Sequence, residues 1–208
     1  GLGEVMDAPM AKSMFGYCKV GPYAFNASRA KSLLEAAGLR AGQKVTLHHP
    51  TGRYVQDAQA ATAIAGFLRE VGFDVSLQTM DWPTYVATIT APPDKNVTEL
   101  HFLGWAPTFL DSDLQMDQFF SGNHPPKGLA TTFYKNPKVD ELIQKAKVEL
   151  DPAKRGALYC ELSRIIWDEA PWVFLWVQKF PLVYSAKVKN ISYVPNEKFF
   201  ALYAEPAR

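Results

Sequence analysis

The sequence predicts an α/β domain: a central mixed, largely parallel sheet flanked by helices. Three observations predict it. Residues 43–49 and 73–79 alternate apolar and polar positions, with Val45 and Leu47 in one and Phe73, Val75 and Leu77 in the other, the period of a half-buried strand. Between them, residues 57–71 carry Ala61, Ile64, Ala65, Leu68 and Val71 at helical spacing, stopped by Gly72. A strand–helix–strand run with a helix of that length is the right-handed crossover of two parallel strands. Further on, Asn136-Pro137 and Asp151-Pro152 each place a capping side chain before a proline and an amphipathic stretch, which is how helices start. Two such helices back to back are expected to cover the sheet.

The other elements follow in order. Residues 1–25 hold no period and read as an edge or linker segment. Asn26 caps a helix whose apolar face is Ala30, Leu33, Leu34 and Ala37, ended by Gly38. Asp81 caps a helix with Trp82, Tyr85, Val86 and Ile89, and residues 97–103 are a third strand. Residues 172–177, WVFLWV, read as a buried strand, and residues 182–185 and 191–194 as short ones. The division expected is 1–25 as an edge segment, 26–195 as one α/β lobe, and 196–208 as a tail.

Composition bounds the function. The chain has 208 residues, 48% hydrophobic and 21% charged, with a net charge of +1 and no basic cluster, so a nucleic-acid surface is not expected. No apolar run reaches the length of a membrane span, so no membrane insertion is expected. The first residues lack a signal-peptide layout and resemble the middle of a loop, as in an excised fragment. Cys18 and Cys160 lie far apart; no disulfide framework or metal spacing is expected, and Cys160 reads as a small buried hydrophobe. The adjacent His48 and His49 would point to opposite faces of a strand, against a shared metal. Neither a GxSxG elbow, a P-loop nor GxGxxG is present, so no catalytic residues, cofactor or metal are expected.

The candidate site is residues 101–120, HFLGWAPTFLDSDLQMDQFF. A strand ends in Gly104-Trp105, a loop follows, and carboxylates appear at Asp111 and Asp113. Ligands of open α/β sheets sit outside the carboxyl ends of strands. Trp105 supplies a flat apolar wall and Asp111 a charge beside it, as for a cationic, partly apolar solute. The same residues also fit plainer roles. Ser112 with Gln115 matches a capping box, Asp111 or Asp113 suits a helix dipole, and Trp105 suits a core. Arg53, just beyond the first strand of the parallel pair, is placed to hold a carboxylate or to be a solvated loop residue.

Several stretches together resemble the C-terminal lobe of family 5 periplasmic solute-binding proteins, the dipeptide/oligopeptide/nickel class serving ABC importers. They are YAFNASRAKSLLEAAGL at 23–39, the helix–strand–Asp-Trp-x-x-Tyr run at 64–85, and the Gly-Trp then Asp-x-Asp segment at 102–120. FYKNPKVDEL at 133–142 and the helix, Ala-Pro and Val-Tyr-Ser run at 159–185 complete the set. The resemblance implies a class II periplasmic-binding-protein-like lobe, not an enzyme, that captures a peptide-like small molecule. It implies ABC-transporter permease subunits and a missing N-terminal lobe as partners, and a periplasmic or extracellular, membrane-associated location. It implies that Asp111 holds the ligand amine, that Trp105 lies beside the ligand, and that Arg53 takes its carboxylate; Phe109 is a further candidate ligand-binding residue. Ala130 stands where the family commonly has Asn, and Phe109-Leu110 where others are polar or Gly. The alternatives are an α/β hydrolase or transferase using Ser112, and an interaction domain with an exposed aromatic patch.

Overall fold

A computed structural model of the chain describes residue 1, residues 3–194 and residues 197–207. In chain order its elements are β1 (Gly3–Val5), α1 (Ala27–Ala36), β2 (Gln43–Pro50), α2 (Asp57–Glu70), β3 (Phe73–Met80), α3 (Trp82–Ile89) and β4 (Leu100–His101). They continue with α4 (Ser112–Met116), α5 (Pro137–Val148), α6 (Pro152–Glu169), β5 (Trp176–Gln178), β6 (Val188–Lys189), β7 (Ser192–Val194), β8 (Lys198–Phe200) and β9 (Glu205–Pro206). The chain divides into two compact units. One is Gly1–Pro22, Trp105–Ser121 and Tyr134–Arg208; the other is Tyr23–Gly104 and Gly122–Phe133. The expected boundary between lobe and tail, at 195/196, lies outside the described residues.

The second unit is the α/β unit. Its strands run in the order β3-β2-β4, all parallel, with Val45 opposite Val75 and His48 opposite His101. Helix α2 makes the crossover the sequence predicts, and its small residues Ala61 and Ala65 are fully buried, letting helix and sheet approach closely. The Asn26 carboxamide caps α1 at the Arg29 amide and Asp81 caps α3 at the Thr84 amide, each satisfying an amide the helix leaves unpaired. No residue of α1 is buried, so its apolar stripe stays at the surface of the unit. The third strand is shorter than its apolar run suggests. The Asn96 side chain accepts from the Thr98 amide and donates to the Ile89 carbonyl, a local turn that uses the amides pairing would need. Pairing starts only at Leu100, and the Glu99 carboxylate takes the Thr46 amide in place of a strand.

His48 and His49 are buried, and His101 is partly so. His49 bonds Thr79 Oγ1 at 2.9 Å and His101 bonds Thr131 Oγ1 at 2.9 Å, both through Nε2. Burial, with a smaller contribution from His48 alongside, pushes the His101 imidazole down to about 4, so it is neutral at physiological pH.

The first unit is built on α5 and α6. They belong to a different unit from the sheet they were expected to cover; their buried faces, Val139, Leu142, Ile143 and Ala146 on one and Tyr159, Leu162 and Ile166 on the other, close on Met10, Met14, Met116 and Phe119. Both helices start at their predicted caps, Asn136 and Asp151, each with proline at the first helical position. Four expectations are corrected here. Residues 1–25 are not a loose edge: Gly3–Val5 pairs with Trp176–Gln178, and Ala8 and Met10 are buried. The apolar run at 172–177 is not a buried strand, since pairing begins only at Trp176 and Val173 is 81% exposed. Residues 182–185 form no strand; the short ladders are β6 with β9 and β7 with β8. Cys160 is not a free hydrophobe: it is bonded to Cys18, 142 residues away in sequence, across a Cα–Cα distance of 5.1 Å.

That bond closes a long loop. Replacing both cysteines by serine is expected to lower unfolding free energy by about 2–5 kcal/mol, read as a lower denaturant midpoint at unchanged slope. An unchanged midpoint contradicts a bonded pair. His101 sets a second expectation. Above pH 6.5 it is neutral folded and unfolded; as pH falls from 6.5 to about 4 only the unfolded chain takes up the proton, so stability is lost across that window. His101→Gln should flatten the fall in melting temperature between those pH values, and an unaltered slope counts against it.

Candidate functional site

Strand β2 delivers its chain end to a turn at residues 51–56, and one carboxylate fixes that turn. The Asp57 carboxylate accepts the amides of Arg53 (2.9 Å), Tyr54 (3.1 Å) and Ala58 (2.9 Å). Burial pushes the Asp57 carboxyl up, but these amides outweigh it and hold it below the usual carboxylate range. With its backbone tied, Arg53 lays its guanidinium 4.8 Å from the Tyr54 ring centre and 5.3 Å from that of Trp82. Such stacking orients a planar cation. Arg53 thus stands at the carboxyl edge of the sheet, where the sequence places it.

Tyr54 also holds the start of the candidate loop. Its hydroxyl accepts from the Gly104 amide at 2.9 Å and donates to the Gly104 carbonyl at 3.3 Å. A Cβ on residue 104 would come within 2.7 Å of Tyr54 Cε1, so only glycine lets the ring approach. Upstream, the buried Tyr85 hydroxyl donates to the Phe102 carbonyl at 2.6 Å.

The loop itself belongs to the helical unit. Trp105 is half-buried, and its Nε1–H is buried with no acceptor among the described residues. A buried indole N–H normally has a partner. Phe109 is 52% exposed, a large apolar side chain held at the surface. The far end of the loop is fixed by Asp111. Its Oδ2 accepts from Arg155 Nη1 at 2.7 Å, and its Oδ1 from Arg155 Nη2 at 2.8 Å and from the Asp113 amide at 2.9 Å. Tyr159 Oη adds a long contact to Oδ1 at 3.4 Å. Burial raises the Asp111 carboxyl, but the Arg155 guanidinium and the Asp113 amide hold it below the usual range; the same pair raises Arg155.

The solitary carboxylate of the sequence reading is therefore half of a bidentate ion pair and the cap of α4. Ser112 is not the cap: it is fully buried and its hydroxyl donates to the Phe15 carbonyl. With its proton committed there, Ser112 is no activated nucleophile, which removes the hydrolase alternative. Sequence reasoning missed Arg155, Tyr159 and Tyr54. Arg155 and Tyr159 are one turn apart on α6, a signal of a shared face, but nothing in the spacing ties that face to a loop 44 residues earlier.

Residues 1–127 match the family model described as bacterial extracellular solute-binding proteins, family 5, middle. The chain belongs to this family. It is 26% identical over 206 residues to the glutathione-binding protein GsiB of Pectobacterium atrosepticum, covering 96% of this chain and 39% of that protein. Among solved structures, the periplasmic binding protein DppA of Helicobacter pylori, in complex with the peptide STSA, is 28% identical with a TM-score of 0.76, over 85% of this chain and 34% of that one. A dipeptide-binding protein of Pseudoalteromonas sp. SM9913, in complex with Met-Leu, shares the fold at a TM-score of 0.84 and 20% identity, over all of this chain and 41% of that one. The family 5 chain thus spans about two fifths of the length of such relatives. They are solute-binding proteins, not enzymes. No helix among the described residues is long and apolar enough to cross a membrane.

The ion pair has a measurable stability. Its side chains are 21% and 26% exposed, so Asp111→Asn, which keeps a capping acceptor but removes the charge, should cost about 1.5–3 kcal/mol. Asp111→Ala should cost about 1 kcal/mol more through the lost cap. A double-mutant cycle with Arg155→Met on denaturation data measures the coupling; a coupling near zero contradicts the geometry.

Proposed function

We propose that this chain is the C-terminal ligand-binding lobe of an extracellular or periplasmic protein that captures a peptide-like small molecule for an ABC importer. Its partners in this reading are an N-terminal lobe that completes the clamp and the permease subunits that receive the solute. The observation that carries the proposal is the loop from Trp105 to Asp111. It carries the exposed Phe109 ring, which the apolar side chains of a peptide can meet, four residues from Trp105, whose indole N–H is buried with no acceptor among the described residues. Arg53, stacked on Tyr54 and Trp82, is the group proposed for a carboxylate end. The Cys18–Cys160 bond agrees with an oxidising, extracytoplasmic location.

Asp111 enters this proposal in a changed role. A ligand ammonium at that point meets a neutralised pair, and most of the lone pairs of Oδ1 are already taken. The carboxylate is proposed to hold the loop and to offer the ammonium at most the open side of Oδ2. The interaction-domain alternative has no observation that favours it over the family's solute-binding role.

The test is calorimetry on the full-length protein that carries this chain, with glutathione, Met-Leu and Ser-Thr-Ser-Ala as probes. At least one should bind at roughly micromolar Kd or tighter, and the 208-residue chain alone at least about a hundredfold more weakly, because half of the enclosing surface is absent. In the full-length protein, Asp111→Asn should weaken a free peptide and its N-acetylated form alike. A loss confined to the free amine restores the direct grip, and a protein that binds none of the probes and carries no co-purifying peptide by mass spectrometry refutes the proposal.

A further inference from the structure

The segment from Phe15 to Gly21 lies along α6 as a strap, and its contacts run stepwise down that helix. The Phe15 ring stands edge-on to Tyr159 at 6.3 Å, and the Arg155 guanidinium lies 5.2 Å from its centre. Gly16, at φ +85°, packs against the Tyr159 ring so closely that a Cβ there would overlap it. Cys18 is bonded to Cys160, and Gly21 packs so closely against the Trp167 ring that a Cβ there would overlap it. The strap's far end is tied by the Asp7 carbonyl, which accepts the amides of Val20 and Gly21 at 2.9 and 2.8 Å.

The near end of the strap reaches the candidate loop. The Phe15 amide donates to the Leu110 carbonyl at 3.0 Å, Phe15 and Asp111 form a parallel bridge, and the Ser112 hydroxyl donates to the Phe15 carbonyl. The residue that pairs with the loop, Phe15, is thus one residue from a glycine–ring contact and three from a covalent bond, both to α6. The helix that holds the strap also supplies Arg155 and Tyr159 to Asp111. Loop, strap and α6 close a ring of contacts in which the disulfide is the one covalent link.

We propose that the Cys18–Cys160 bond and Gly16 clamp the strap onto α6 and so position the loop from Trp105 to Asp111, making them positioning residues for a site that neither touches. The effect on solute binding rests on the function proposed above; the effect on the loop does not. A bond that only stabilised the unit would loosen all of it evenly. A positioning bond loosens the loop first, because the loop's strap contact is one amide–carbonyl pair and one hydroxyl, whereas α5 is held by its own ladder and a packed core.

The experiment is hydrogen exchange on the full-length protein, comparing wild type, a C18A/C160A double variant and Gly16→Ala. The reporters are the amides of Phe15 and Asp113 against those of Leu142 and Ile143 in α5. In both variants the Phe15 and Asp113 amides are expected to lose at least about tenfold more protection than the α5 amides. Gly16→Ala does so with the disulfide intact, so it carries the test if the cysteine variant does not fold. Well below the lowered melting temperature, Kd for whichever of Met-Leu, Ser-Thr-Ser-Ala or glutathione binds wild type should rise about tenfold, mostly through faster dissociation. Equal loss of protection at loop and α5, or affinity unchanged while the loop is loosened, overturns the proposal. If wild type binds no probe, exchange still decides the loop's dependence on the clamp, and it is the solute-binding reading that fails.

Discussion

The ion pair between Asp111 and Arg155 is the contact on which the candidate loop depends. It is bidentate, about three-quarters buried, and joins the N-terminus of α4 to a helix begun forty residues later. The same carboxylate caps α4, so one side chain fixes the loop's end, the helix's start and its distance from α6. A buried charge of this kind is not replaceable by an apolar contact at one partner alone, because the remaining charge would be stranded. The opposite end of the loop is held by an uncharged device, the Tyr54 hydroxyl on both polar atoms of Gly104.

Membership of family 5 gives this arrangement its context. In the reading proposed above, the chain needs surfaces that are apolar enough to wrap a solute yet remain open until the solute arrives. The half-exposed Phe109 and the unaccepted indole N–H of Trp105 are affordable in that setting and costly in a closed core. The α/β unit carries the stacked cation, Arg53, and the helical unit carries the aromatic loop and its ion pair.

Much of the fold was legible because it rests on local rules. Asn26, Asp81, Asn136 and Asp151 all cap the helices that the sequence assigns to them, since a cap is a contact over two or three residues. The parallel β2–α2–β3 unit was legible for the same reason, from period and connection length. The run at 172–177 was misread because hydrophobicity without alternation does not say whether a partner strand is present. The third strand was overextended because an Asx turn at Asn96 competes with pairing and leaves no mark in the apolar pattern.

The sequence by itself determined the family, the parallel crossover and the helix starts. Only the tertiary structure decided that Asp111 belongs to Arg155, that Cys18 belongs to Cys160, and that α5 and α6 enclose a core of their own. The physical reason is range. Capping, period and chirality act between near neighbours and are written in spacing. The partner of a charge or a thiol is set by where distant segments come to rest, and the same aspartate reads identically whether a ligand or an arginine meets it.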